Sequence, residues 1–166
     1  MDIHTYEKVW LIAALLLIVG LIGTVTYGAV AAGVVMVDDS GGTIDPSDVA
    51  ADERFAEPRV EEVGQNEYEA YVLARQFIFQ PNPIEVPAGS TVTFYITSPD
   101  VIHSFQIVGT NVNTMVIPGQ VAEITVEFEE PGEFGILCNE YCGAGHHEME
   151  GLLIVVPEDE FEGDDT

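Results

Sequence analysis

The sequence predicts an all-β domain, a small sandwich or barrel, that follows one transmembrane helix at the amino terminus. Between about residues 67 and 156, apolar and polar residues alternate in several short segments, as expected of strands with one face on a core. Turn-forming pairs separate these segments at short intervals, which is typical of a sandwich or barrel. An uncharged apolar run, residues 9–37, lies before them. About ninety residues in short strands are enough to bury one sandwich core.

Residues 9–37 predict a helix that crosses the membrane. The run has no charge, and it exceeds the roughly 20 residues that a helix needs to span a bilayer. A cleaved signal peptide is the alternative, because residues 29–31 (Ala-Val-Ala) resemble a cleavage site. The run is too long for a signal peptide, however, and its leader MDIHTYEK is not positively charged. Lys8 before the run, with Asp38 and Asp39 after it, favours an amino terminus inside and a main domain outside. We therefore assign residues 1–37 to an amino-terminal anchor.

Two acidic segments flank the predicted β domain. Residues 38–66 are acidic and rich in Gly, Pro and Ser, which predicts a linker with a short helical turn after Pro46. Residues 157–166, PEDEFEGDDT, contain six acids in ten residues and predict a disordered tail. The packed domain is therefore expected at residues 67–156.

Alternation and turn residues define the strands of this domain. The alternating apolar residues are Tyr68, Ala70, Val72 and Ala74, then Val92, Phe94 and Ile96, then Ile124, Val126 and Phe128. The turn signals are Asn82-Pro83, Pro87-Ala88-Gly89, Ser98-Pro99-Asp100, Pro118-Gly119 and Pro131-Gly132. A final apolar run, residues 151–156, predicts the last strand of the sheet.

Residues 138–149, CNEYCGAGHHEM, predict a metal site in the loop between strands 132–137 and 151–156. Two thiols, an imidazole and a thioether lie at Cys-x-x-x-Cys-x-x-x-His-x-x-Met spacing, and these soft donors suit copper. Zinc is an alternative, since two cysteines and two nearby histidines provide N and S donors. A disulfide between the two cysteines is another, although so short a loop would add little stability. His103, after the Pro-Asp turn, is a further candidate ligand, with an ordinary strand-end residue as its other interpretation.

These segments together resemble subunit II of haem-copper cytochrome c oxidases. CNEYCGAGHHEM and the upstream SPDVIHSF are similar to the family's binuclear copper A site, and QPNPIEVPAGSTVTFYITSPDVIHSFQI, GTNVN and PGEFGILCNEYCG extend the similarity across most of residues 67–156. The single anchor helix resembles the B-family oxidases. The resemblance implies a cupredoxin-like Greek-key fold.

The resemblance also implies a set of copper ligands. They are His103, Cys138, the backbone carbonyl of Glu140, Cys142, His146 and Met149. Both thiolates would bridge two coppers. His103 and Met149 would complete one copper, while His146 and the Glu140 carbonyl would complete the other.

The function implied by the resemblance is electron transfer within a terminal respiratory oxidase. The chain would accept electrons from an external cytochrome c or small blue-copper protein and pass them to haem in subunit I, where oxygen is reduced to water. It would be a subunit of an oxidoreductase without an oxygen site of its own. The alternatives are a copper domain like that of nitrous oxide reductase, a mononuclear cupredoxin, and the copper-free module of a quinol oxidase.

Three side-chain roles are less specific. The carboxylate of Glu140 is a candidate magnesium contact at the interface with subunit I, or else a solvated group. Phe77 and Phe79 lie where the family places aromatic residues for electron entry, although core packing or rim contact is the alternative role. His147 has no assigned role and is expected to be exposed.

Net charge restricts the partners and the setting of the chain. Four Lys and Arg face 29 acids, which gives a net charge of −25. An acidic domain repels nucleic acid, so no nucleic-acid partner is expected. Excess acid with a single lysine is typical of halophilic proteins, and in molar salt long-range steering of a basic donor is screened. We therefore predict a halophile, and an archaeal or bacterial plasma membrane that supplies the lipid environment of the helix.

Overall fold

The structure, a computed structural model, describes residues 4–31 and 41–161. The chain divides into two compact units, and the described part of the first unit is one helix, α1, Thr5–Ala31, with the residue before it. Its apolar span, Thr5–Val30, has 26 residues and a mean hydropathy of 2.5. At 1.5 Å per residue this length exceeds the roughly 30 Å of a bilayer core. The helix begins earlier than predicted, and residues 32–37 of the predicted span lie outside the described residues.

The second unit contains ten β-strands within the described residues. In chain order they are β1 Arg59–Gly64, β2 Glu67–Arg75, β3 Ile78–Gln80, β4 Ile84–Pro87, β5 Ser90–Thr97, β6 His103–Ile107, β7 Asn113–Val116, β8 Ala122–Phe128, β9 Gly132–Leu137 and β10 Glu150–Val156. The described part of this unit also has three short 3-10 helices, Val49–Ala51, His146–Glu148 and Glu158–Glu160.

The strands form two sheets. One has the order β1-β2-β5-β8, with β3 paired to the end of β2, and the other has the order β4-β10-β9-β6-β7. β2 pairs with β5 in parallel, and β4 pairs with β10 in parallel, whereas the remaining pairs are antiparallel. The predicted all-β class is confirmed, and the predicted turn signals lie between strands or at their ends.

The main core confirms the predicted alternation. Ala70, Val72 and Ala74 of β2 are fully buried, as are Val92, Phe94 and Ile96 of β5, and the apolar residues of β8 join the same cluster. Phe105 of β6 packs against Phe94 at a ring separation of 5.6 Å, so residues of the two sheets meet in this core. Cys138, Cys142 and Met149 belong to the cluster as well. The predicted metal loop is therefore anchored in the main core.

Residues 41–58, part of the predicted linker, form an ordered strap that covers the other face of the first sheet. Ile44, Val49 and Phe55 of this strap are buried against Tyr71, Leu73 and Val121 in a second apolar cluster. The bridge between Thr43 and Gln120 holds the beginning of the strap. The segment is acidic overall, so its three apolar side chains did not indicate a packed element in the sequence. Burial of these side chains stabilises an ordered conformation. Residues 59–64, also assigned to the linker, form β1.

The beginning of the predicted tail is also ordered in the structure. Residues Glu158–Glu160 form a 3-10 helix, and the ring of Phe161 packs edge-on against Tyr68 at 5.4 Å. This aromatic contact buries apolar area and explains why the residues after β10 are ordered. Residues 162–166 of the predicted tail lie outside the described residues.

Candidate metal centre

The metal loop joins two neighbouring antiparallel strands, β9 and β10. The N–H of Cys138 donates to the carbonyl of Met149 at 3.3 Å, which adds one more rung between the two ends of the loop. His103, the first residue of β6, lies on the strand that pairs with the other side of β9. Three adjacent strands of one sheet therefore position the loop and His103, and such a frame restricts donor geometry more than a free loop would.

The two cysteines are free and buried. Their sulfur atoms lie 3.9 Å apart, well beyond the roughly 2.05 Å of a disulfide bond. Cys138 is 7% exposed and Cys142 is 3% exposed. The pair is thus present as two thiols side by side, and the disulfide alternative does not describe this structure.

The structure brings the other four predicted residues to these sulfurs. Nδ1 of His103 lies 4.0 Å from Cys138 Sγ, and the carbonyl oxygen of Glu140 lies 3.2 Å from the same atom. Nδ1 of His146 and Sδ of Met149 each lie 3.6 Å from Cys142 Sγ. One imidazole therefore lies beside each thiol. The candidate ligand atoms of His103, Cys138 and Cys142 all lie within 4.8 Å of one another.

Asp100 fixes the orientation of His103. The His103 ring is fully buried, and its Nε2 lies 2.8 Å from Asp100 Oδ1. When Nε2 carries the proton, the Nε2–H donates a hydrogen bond to the carboxylate, and Nδ1 keeps its lone pair and faces the thiols. A carboxylate behind a metal-binding histidine is a recurrent way to set its tautomer.

The network around Asp100 favours its ionised form. Burial raises the pKa of Asp100, but the hydrogen bonds it accepts from the Gln76 N–H and from His103, among others, outweigh burial and lower the pKa. The Gln76 N–H lies 2.9 Å from Oδ2, and the hydroxyl of Ser98 donates to Oδ1 at 3.0 Å. The acceptor opposite His103 is therefore a carboxylate with several partners.

The environment of Cys142 favours the protonated thiol when no metal is bound. Burial raises the pKa of Cys142 to about 11, and the neighbouring Cys138 adds to the shift. Metal ions bind the thiolate, so loading this site must displace a proton. A positive ion between the two sulfurs would supply the charge that the apolar surroundings lack.

The turn between β2 and β3 contacts the metal loop, which sequence reasoning did not anticipate. The side-chain amide of Gln76 donates to the carbonyl of Cys142, and the ring of Phe77 packs over Gly143 and Gly145. A Cβ at Gly145 would lie 2.5 Å from Cδ2 of Phe77, so a side chain does not fit there. The contact spans 66 residues of sequence, and no local pattern signals it.

The remaining predicted residues differ in exposure. Phe79 is 1% exposed and packs edge-on against Phe105 at 5.6 Å, which places it in the core rather than at the surface. Phe77 is partly exposed, and it forms the rim contact with the loop. The Glu140 side chain is exposed although its carbonyl faces Cys138. His147 is exposed, as predicted.

The donor set defines the class of protein. Two buried thiols, two imidazoles, a thioether and a backbone carbonyl converge at the end of a two-sheet β fold. Thiolate, imidazole and thioether together suit copper better than zinc, which takes N, S and carboxylate ligands. The domain is therefore of the cupredoxin-like, copper-binding electron-transfer class.

Comparisons with known proteins specify the family. Residues 62–157 match the model of the periplasmic domain of cytochrome c oxidase subunit II. A cytochrome c oxidase subunit 2 from Thermus thermophilus is 43% identical over 157 residues, which cover 92% of this chain and 93% of that protein. A solved haem-copper terminal oxidase dimer contains a chain with TM-score 0.72 and 35% identity, covering 90% of this chain and 99% of that one. The periplasmic domain of subunit II from Bradyrhizobium japonicum shares the fold, with TM-score 0.52 and 24% identity over 57% of this chain and 86% of that one.

The chain belongs to the cytochrome c oxidase subunit II family. It is an electron-transfer subunit of a haem-copper oxidoreductase, with subunit I as its partner in the complex. Subunit II carries the binuclear copper A centre, and the cluster of His, Cys and Met side chains has the donors for it. One apolar helix with a periplasmic-type domain makes the chain a single-pass membrane protein whose domain lies outside the cell.

Proposed function

We propose that six residues of this chain hold the copper A centre. Cys138 and Cys142 would hold the two ions together, and the other four would supply the remaining donors in the pairing expected from the sequence: His103 with Met149, and His146 with the Glu140 carbonyl. The observation that carries the proposal is the pair of free, buried thiols 3.9 Å apart with an imidazole Nδ1 beside each. When bound, two coppers that share both thiolates also share one electron, so little bonding changes on reduction.

The fold supports this role by restraining the donors before the metal arrives. His103 is fully buried and held by Asp100, and Met149 immediately precedes β10, an interior strand of its sheet. Cys138 follows β9 directly. Donors restrained by a sheet move little when the charge at the site changes, which favours rapid electron transfer.

Copper loading of the full-length chain tests the proposal. We expect two coppers per chain and a seven-line electron paramagnetic resonance signal from one electron shared by both ions. Cys142→Ser should reduce the copper content to one ion per chain with a localised four-line signal. A four-line signal from the unaltered chain would contradict the assignment.

Met149 provides a second test of the ligand set, with a matched control on the chain. Met149 is buried at the site, whereas Met115 on β7 is half exposed. We expect Met149→Leu to change the reduction potential and the spectrum, and Met115→Leu to change neither. Equal spectra for both variants would exclude Met149 as a ligand.

We infer that the external donor is a small blue-copper protein or a cytochrome c that docks mainly through apolar contacts. Tyr141, 75% exposed, lies in the metal loop, and the exposed apolar residues Leu137 and Ile102 flank Cys138 and His103 in sequence. Apolar contact persists in salt, whereas charge steering is screened. Electron-transfer rates measured against salt with each donor test this, and a steep fall with salt would contradict apolar docking.

Phe77 is the remaining candidate for electron entry, because it is partly exposed and touches the loop. We expect Phe77→Leu to slow electron transfer from the donor by more than any change in the reduction potential of the copper centre explains. A buried matched substitution, Phe79→Leu, should alter stability instead of the transfer rate. Equal transfer rates for Phe77→Leu and the unaltered chain would remove Phe77 from the route.

The exposed carboxylate of Glu140 is proposed as a magnesium contact shared with subunit I, in an oxidase of the plasma membrane. Its backbone carbonyl faces Cys138, so the side chain points elsewhere. Oxygen donors of this kind suit magnesium and manganese. Manganese resonance in the assembled oxidase should weaken in Glu140→Gln and persist in Glu148→Gln, and an unchanged signal would contradict this contact.

A further inference from the structure

Gln76 contacts both the metal loop and the turn that leads to His103. Its backbone N–H donates to Asp100 Oδ2 at 2.9 Å, and Asp100 in turn holds His103. Its side-chain Nε2 donates to the carbonyl of Cys142. One residue of the β2–β3 turn therefore contacts the loop that carries a cysteine and the turn that carries the carboxylate behind a histidine.

We propose that Gln76 is a positioning residue of the copper centre. Its side-chain amide fixes the backbone at Cys142, and that backbone determines where Cys142 Sγ lies relative to Cys138. The inference rests on the proposed function, because it takes Cys142 as a bridging ligand. Gln76 itself is not a ligand.

The loop around Cys142 needs an external restraint because its own sequence provides few. Cys142 is followed by Gly-Ala-Gly, and Gly143 has a φ of +135° that other residues rarely adopt. Glycine allows many backbone conformations, so the folded geometry must be fixed by contacts. No regular element lies between β9 and the 3-10 helix that begins at His146.

Two contacts from the same turn supply that restraint. The Gln76 amide holds the Cys142 carbonyl, and the Phe77 ring leaves no room for a Cβ at Gly145. The first contact is directional and fixes the orientation of one peptide, while the second is a packing contact. Removing only the amide therefore separates positioning from packing.

Amide hydrogen exchange in the metal-free, full-length chain in detergent tests the contact without copper. Gln76→Met removes the donor, keeps similar length, and leaves the backbone bond to Asp100 in place. We expect amides of residues 142–146 to exchange about fivefold to tenfold faster, the factor that one net hydrogen bond provides. Gln76→Lys retains a donor and should restore protection.

Gln65 provides the matched control. It lies in the turn before β2, whereas Gln76 follows β2, so about nine residues of strand, roughly 30 Å, separate the two. Gln65→Met should leave the exchange of residues 142–146 unchanged. Equal exchange in the Gln76→Met and Gln65→Met chains would overturn the proposal.

Copper-loaded chains provide the readout that simple packing would not change. Gln76→Met should shift the copper hyperfine splitting and the reduction potential relative to the unaltered chain, and Gln65→Met should shift neither. If Gln76→Met does not fold, Gln76→Lys decides: protection supports the proposal, and lost protection in a folded chain overturns it. Fewer than two coppers in the unaltered chain would contradict the proposed function but leave the exchange result standing.

Discussion

Asp100 is the side chain on which the orientation of His103 depends. It accepts hydrogen bonds from the imidazole, from two backbone N–H groups and from the Ser98 hydroxyl. An amide in its place would present one acceptor oxygen and a donor face to partners that are themselves donors. Asp100 thus favours the His103 tautomer with the proton on Nε2, which leaves Nδ1 facing the thiols.

We expect Asp100→Asn to lower copper affinity by about 10- to 100-fold, the usual cost of removing a carboxylate behind a metal-binding histidine. Competition with a calibrated copper chelator measures the affinity. Asp48→Asn, an exposed acid on the strap, is the control and should bind as the unaltered chain does. Equal affinity in both variants would mean that His103 is oriented by packing alone.

The cluster of donor side chains could be predicted from the sequence where the signal was local. The spacing of Cys138, Cys142, His146 and Met149 is fixed by a short loop, so residue type alone indicated the donor set. Gln76 could not be found in this way, because its partner lies 66 residues further along the chain. A glutamine beside an aromatic residue carries no pattern that distinguishes it from any surface glutamine.

At the scale of elements, the β2–β3 turn can approach the metal loop closely because residue 145 is a glycine. A methyl group at Gly145 would overlap the Phe77 ring, with the nearest ring atom at 2.5 Å. Either the ring or the loop would have to shift. The absence of a side chain at Gly143 and Gly145 thus allows the β2–β3 turn to pack against the loop.

Gly145→Ala is therefore expected to destabilise the metal-free chain by about 1 to 3 kcal/mol, the typical cost of overpacking. Urea unfolding measures the change. Gly135→Ala on β9 is the matched control, because its Cβ would meet Val108 at an ordinary 3.7 Å. Phe77→Ala should remove most of the cost of Gly145→Ala, and an equal cost with and without the ring would contradict the clash.

The strap is the element that composition concealed. Its acids suggested a linker, yet Phe55 is buried, its ring packs edge-on against Tyr71, and the Arg54 guanidinium lies 5.3 Å from its centre. Arg54 also pairs with Asp52 at 3.0 Å, and Arg59 lies over the Tyr71 ring at 4.7 Å. Arg54 thus stabilises the strap internally, whereas Arg59 of β1 donates to strap carbonyls and joins the strap to the sheet.

Phe55→Ala should cost about 3 to 5 kcal/mol, as other large-to-small substitutions in cores do. The free energy of unfolding in urea is the measurement. Val63→Ala, at a half-exposed position of β1, should cost much less. A small loss for Phe55→Ala would show that the strap contributes little to stability and would restore the interpretation as a linker.

At the scale of the whole molecule, charge is the dominant property. Beyond residue 37 the chain has 27 acids and three arginines, a net charge of −24. Such a domain repels itself in dilute buffer, and salt weakens that repulsion by shortening the screening length from about 10 Å at 0.1 M to about 3 Å at 1 M. Halophilic adaptation stays a prediction.

We expect the thermal unfolding midpoint to rise as potassium chloride increases from about 0.1 M to about 1 M, because screening relieves repulsion in the folded state. Differential scanning calorimetry measures it. A chain with Glu129→Gln, Glu130→Gln and Glu133→Gln, all exposed acids, should depend less on salt. A midpoint that is flat or falls with salt would contradict the prediction.

The fold class could be predicted from the sequence, but the pairing of the strands could not. Alternation and turn residues gave the strands, since each depends on a few adjacent residues. The parallel pairs β2 with β5 and β4 with β10 join segments distant in sequence, so no local pattern indicated them. The extra buried face of β2 was missed for the same reason, because the strap that covers it lies elsewhere in the chain.

The parallel pairing of β4 with β10 also bears on the order in which the strands can pair during folding. β4 has no other strand partner among the described residues, and its place in the sheet stays vacant until the last strand has been synthesised. Long-range pairing of this kind forms late in folding. Met149, whose sulfur lies beside Cys142, immediately precedes β10, so its position depends on the pairing of that strand. We therefore expect the donor set to be complete, and copper to be captured, only after β10 has paired with β4 and β9.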